Sequence, residues 1–137
     1  HIARVSLELG GKSAAIVFAD ANVQKAALAT PMAVFGNAGQ DCCARSRILV
    51  ERPVYEEFLE TFDAAVRAIK VGDPLSTETE MGPLISTGQR QTSRDYIGIG
   101  TGEGARLVSG GDVDALNGHP MVRREDHELR VAKARLQ

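Results

Sequence analysis

Cys42 and Cys43 stand side by side in the run Gly39-Gln40-Asp41-Cys42-Cys43, and Glu8 lies 34 residues upstream in Leu7-Glu8-Leu9-Gly10-Gly11-Lys12. A thiolate can add to a carbonyl carbon, and a carboxylate can activate water to release the acyl group that results. A thiol with a pKa near ~8.5 is only a few per cent ionised at pH 7, so a nucleophilic cysteine needs help. Clustered backbone N–H groups in the Gly39-Gln40 turn would supply it. Small residues on either side, Ala38 and Ala44, leave room for a substrate. Glu8 sits between Leu7 and Leu9, where an alternating strand would bury it and raise its pKa toward general-base range. The ordinary reading of a single Glu is a solvated side chain, and Gly10 and Gly11 read equally as a positive-φ turn or as room for a flat ligand. Cys42 and Cys43, taken on composition alone, favour the inert reading of small buried core residues.

Other uses of the two cysteines fit less well. Adjacent residues bridge as a disulfide only by distorting the peptide between them, so no disulfide framework is expected. His1, His119 and His127 are far from the pair in sequence, and two adjacent thiols do not make a zinc spacing; no metal is expected. The pair therefore points to a reduced, intracellular setting, read as cytoplasmic.

The elements that must position these groups alternate. Arg4 to Leu9 reads as a short strand ending at Gly10-Gly11, and Ala14 to Phe18 as a compact apolar run suited to a buried parallel strand. Asp20 or Asn22 would cap a helix carrying Val23, Ala26, Ala27 and Ala29, with Pro31 expected to end or kink it. Arg47 to Val50 returns to strand. Pro53 opens the clearest helix, with Val54, Phe58, Phe62, Ala65 and Ile69 at helical spacing, and its Glu residues near the start and Arg67 and Lys70 near the end match the helix dipole. Gly72-Asp73-Pro74 turns the chain, and Met81 to Ile85 forms a second punctuated loop. A weaker helix is expected over Gln89 to Ile97, and a strand over Ala105 to Val108. The pattern predicts an α/β layer structure.

The chain has 137 residues, 43% hydrophobic and 25% charged, enough for one modest core. A net charge of −2 gives no electrostatic reason to expect nucleic acid or an anionic membrane as partner. No apolar run nears the ~20 residues of a membrane span, and no signal peptide is visible. His1 in place of Met suggests a start inside a longer chain. From Asn117 the sequence crowds with charge and reads as a solvated end, helical around His127 to Leu136 or disordered. The division expected is 1–112 as one partial domain and 113–137 as a divergent charged tail.

Taken together, the two segments resemble the active-site signatures of the NAD(P)-dependent aldehyde dehydrogenases. Leu7 through Ala14 is similar to the family's glutamate signature and Phe35 through Ser46 to its cysteine signature, and the 34-residue spacing is also the family's. Ile16 to Asp20, Lys70 to Leu75 and Met81 to Ser86 continue the resemblance, which covers about residues 4 to 111. It implies a partial Rossmann-like parallel-sheet catalytic domain of the aldehyde dehydrogenase fold. Cys42 would take the nucleophile position and Cys43 that of a bystander, with a thiohemiacetal and then a thioester on Cys42, and Glu8 would be the base that activates water. The Cys42 backbone N–H would be one oxyanion donor. Leu9 and Gly10 match the backbone lying against the nicotinamide of NAD or NADP, and Gln89 falls near a position that touches the cofactor ribose.

The departures are as definite. The family's second oxyanion donor, its dinucleotide-binding half and its oligomerisation strand have no counterpart here, although a full-length member would be a homo-oligomer. Nothing after Gly111 matches the stretch that holds the nicotinamide ribose, and Pro31 falls where relatives run an unbroken helix. Two readings follow: the catalytic core of an enzyme oxidising a small-molecule aldehyde to a carboxylic acid, or a non-catalytic remnant with a reactive thiol and no dinucleotide binding. The run from Asp41 to Ser46 is similar to enzymes acting on betaine aldehyde or amino aldehydes. NAD against NADP is not legible.

Overall fold

A strand–helix–strand unit frames the chain in the computed structural model, which describes residues 3–7 and 9–110. Strands β1 (Ala14–Val17) and β2 (Arg47–Val50) pair in parallel, with Ala14 opposite Arg47 and Val17 opposite Val50. Parallel neighbours need a crossover, and helix α1 (Val23–Phe35) provides it. Both ends of the pair are fastened. The Glu51 N–H donates to the Val17 carbonyl at 2.9 Å and the Ala19 N–H to the Glu51 carboxylate at 2.7 Å, while Arg47 Nε donates to the Lys12 carbonyl at 2.9 Å. The α/β class and the parallel sheet are as the sequence predicts.

Asn22 starts α1: its Oδ1 accepts from the Lys25 N–H at 2.9 Å, a cap worth about 1 kcal/mol. Pro31 neither ends the helix nor marks its boundary, contrary to the expectation from sequence; α1 continues to Phe35. A proline inside a helix costs about 3 kcal/mol. Burial offsets it, because Ala27, Pro31, Val34 and Phe35 are all buried, at about 1.5–3 kcal/mol for each large apolar side chain. The helix is thus kept by packing rather than by propensity.

Helix α2 (Tyr55–Ala68) lies against α1. A short 3₁₀ turn, Arg52–Val54, carries Pro53 just ahead of it. Phe58, Leu59, Phe62 and Val66 form its buried stripe, and the Phe58 and Phe62 rings stack with centroids 5.5 Å apart. With Val17, Val23, Ala27, Ile48, Ile69 and Met81 they make the core between the helices and one sheet face. The other face is bare: Ile16 is 60% exposed and Phe18 61%. Met81 reaches the core by a loop that returns on itself, with Val71 bridging Met81 and the Glu80 N–H donating to the Lys70 carbonyl at 2.8 Å.

Helix α3 (Thr87–Gly102) is longer than the Gln89 to Ile97 stretch expected, and none of its residues is buried. Two expected strands do not form. Residues 4–7 and 9 are irregular, with Val5, Leu7 and Leu9 each about 70% exposed or more. Residues 105–108 are irregular as well, following Gly104 at φ +89°. Strand preference is chiefly a preference for a paired, half-buried surface, and among the described residues neither segment has a neighbouring strand. The tail expected over 113–137, with its helix around His127, lies outside the described residues.

Candidate active site

The cysteine turn is a short loop pinned at both ends. It leaves the buried Phe35 at the close of α1 and returns at Ala44, which is 8% exposed, where the Arg45 N–H donates to the Ala33 carbonyl of α1 at 3.1 Å. Between the pins the backbone runs left-handed at three successive residues: Asn37 at φ +51°, Ala38 at +55° and Gly39 at +73°. Such a run costs about 1–2 kcal/mol per non-glycine residue, least for Asn. A pair of side-chain amides holds it. Asn37 Nδ2 donates to the Gln40 carbonyl at 3.0 Å, and Gln40 Nε2 donates to the Asn37 carbonyl at 3.1 Å. Gln40 then reaches 45 residues along the chain, its Oε1 accepting the Ile85 N–H at 2.9 Å. One residue therefore joins the cysteine turn to the loop that leads into α3.

Cys42 and Cys43 are both exposed, which removes the inert core reading, and neither is in a disulfide. Their sulfurs stand 3.6 Å apart. Asp41 braces them through Oδ1, which accepts the Cys43 N–H at 3.0 Å. The donor atoms of Asp41, Cys42 and Cys43 all lie within 4.8 Å of one another. Two details differ from the sequence reading. The Gln40 N–H is spent on the Asn37 carbonyl at 3.1 Å and does not turn toward the thiols. Ala38 packs against the core and Ala44 is buried, so their small size serves the core rather than opening space for a substrate.

The remaining site residues are placed unequally. Glu8 lies outside the described residues, and its neighbours Leu7 and Leu9, 69% and 77% exposed, do not form the burying strand expected around it. Leu9 and Gly10 present open backbone, and a Cβ added at Gly10 or Gly11 would meet nothing within 4 Å. The segment thus lies beside open space. Gln89 is exposed in the first turn of α3, where its N–H donates to the capping Ser86 Oγ at 3.1 Å. The amide clamp of Asn37 and Gln40 had only a partial sequence signal, since Asn37 and Gly39 are residue types that tolerate left-handed backbone and Ala38 between them is not.

These features meet in a known class. Residues 1–123 match the aldehyde dehydrogenase family, and the chain belongs to it. It is 41% identical over 118 residues to the 2-hydroxymuconic semialdehyde dehydrogenase of Pseudomonas putida, a match covering 86% of this chain and 24% of that protein. Among solved structures it superposes on an NAD-dependent aldehyde dehydrogenase from Sinorhizobium meliloti with a TM-score of 0.81 at 37% identity, covering 87% of this chain and 24% of the other. A betaine aldehyde dehydrogenase from Staphylococcus aureus, solved in complex with NAD+, gives a TM-score of 0.77 at 36% identity over 83% of this chain and 23% of that one. The chain thus spans about a quarter of the length of the relatives it matches.

Proposed function

We propose that the chain carries the nucleophile and base of an NAD(P)-dependent oxidation of an aldehyde to a carboxylic acid. The observation that carries the reading is the exposed Cys42 thiol on a turn that is pinned at Phe35 and Ala44 and clamped by Gln40. A nucleophile gains from being held before substrate arrives, because orientation is then already fixed. Cys42 adds to the aldehyde carbon to give a thiohemiacetal, and the Cys42 N–H stabilises the oxygen that becomes negative. Nicotinamide, when bound, supplies the hydride acceptor. Leu9 and Gly10 would lie against it and Gln89 would hold its ribose. The thioester left on Cys42 is then hydrolysed by water that Glu8 deprotonates, releasing the acid and the thiol. Cys43 takes no part in these steps. A reduced, cytoplasmic setting belongs to this reading, since an oxidised Cys42 cannot attack. A small aldehyde, such as the betaine or amino aldehydes suggested by the run from Asp41 to Ser46, is the substrate class, and the full-length protein is a homo-oligomer.

The second reading is a non-catalytic remnant with a reactive thiol that binds no dinucleotide. Labelling with an aldehyde-mimicking electrophile separates the two. On the catalytic reading, labelling is rapid, is lost in Cys42→Ala but not in Cys43→Ala, and changes rate when NAD is added. Slow labelling, equal at both cysteines and indifferent to NAD, would leave the remnant reading in possession.

A further inference from the structure

Cys42 and Cys43 share a geometry that the oxidation does not use. Their sulfurs are 3.6 Å apart and exposed, on a backbone braced by Asp41. Two sulfurs bonded at about 2.3 Å to one soft centre, as in zinc thiolates, stand about 3.5–3.8 Å apart for angles between about 100° and tetrahedral. The pair is therefore already spaced to chelate. What it lacks is a set of further donors for a four-coordinate ion: Asp41 has Oδ1 engaged with the Cys43 N–H, and among the described residues no other His, Cys, Asp or Glu joins the cluster.

We propose that Cys42 and Cys43 form a dithiol site for a trivalent organoarsenical, a soft centre that needs only two sulfurs from the protein. With an arsine oxide, two As–S bonds form and the As–O bond is broken. The oxygen leaves as water with the two thiol protons, and no atom changes oxidation state. Binding is independent of the oxidation proposed above; only its consequence, loss of the nucleophile, rests on that reading. Asp41 Oδ1 accepts the Cys43 N–H at 3.0 Å on the turn that carries both sulfurs.

Phenylarsine oxide titrated into the full chain without NAD tests this. One reagent per chain should remove both titratable thiols, with a mass gain of one phenylarsenic group. Cys42→Ala and Cys43→Ala should each weaken binding about 10²- to 10⁴-fold, the gain expected when a second contact becomes intramolecular. A small dithiol should release the reagent where a monothiol does not. Two reagents per chain, one thiol lost per reagent, or single-cysteine variants that bind as tightly as the parent would overturn the site. The thiol count on the unsubstituted chain decides the matter even if a variant misfolds. Because neither NAD nor turnover enters, failure here is distinct from failure of the labelling experiment above.

Discussion

Gln40→Leu should loosen the cysteine turn without loosening the sheet. Leucine roughly keeps the side chain's volume and removes two hydrogen bonds, Nε2 to the Asn37 carbonyl at 3.1 Å and the Ile85 N–H to Oε1 at 2.9 Å. A typical bond of this kind contributes about 1 kcal/mol net, giving about 2 kcal/mol for the pair. Both are at the surface, where water replaces much of what is lost, so about 1 kcal/mol is the expected local cost. That corresponds to roughly a fivefold change in an opening equilibrium. Amide hydrogen exchange reads it directly: the Ile85 N–H should exchange about fivefold faster. The Glu51 N–H, bonded to Val17 at the end of the sheet, should not change. If the Ile85 rate stays as it was, the clamp carries no load. If Glu51 accelerates equally, Gln40 supports the whole unit and the argument for a local clamp fails.

Three further outcomes follow from the same geometry. Phe62→Ala, at a fully buried side chain stacked on Phe58, should cost about 3–5 kcal/mol in urea denaturation, a large part of the stability of a small unit. Gly39→Ala should cost about 1–2 kcal/mol in the same measurement, from the left-handed backbone alone, since its Cβ would meet the Val34 carbonyl at an ordinary 3.5 Å. Partial burial by itself would push the Asp63 carboxyl up. Hydrogen bonding from Arg67, a looser interaction with Ser109 and the Arg67 charge outweigh burial and hold its pKa below the usual aspartate value. A depressed carboxylate stabilises the fold above its unfolded pKa, and that contribution is lost as pH falls through the lower folded value. The acid limb of a stability–pH curve should therefore flatten below about pH 4 in Asp63→Asn, and an unchanged limb would mean the pair does not couple to folding.

The elements legible in the sequence were those whose pattern is satisfied close by. Ala14 to Val17 and Arg47 to Val50 are apolar runs that find each other across one helix, and the Phe58–Phe62–Val66 stripe needs only a neighbouring surface. Arg4 to Leu9 has the residues of a strand and lacks a pairing partner among the described residues, which a local pattern cannot reveal. Pro31 misled for the opposite reason: its local cost is real, but the burial of Val34 and Phe35 beyond it is larger. Cys42 was found through its company in a motif, while the Gln40–Ile85 contact spans 45 residues and had no local signature.

Phe18 and Ile16 facing water have a thermodynamic corollary. Any surface that covers that side of the β1–β2 pair in the folded state alone adds RT ln(1 + [L]/Kd) to the free energy of unfolding. Unfolding measured on the chain by itself is then a lower bound on its stability in company, and its midpoint should rise with the concentration of whatever docks there. A melting temperature for this polypeptide is a property of the mixture it is measured in.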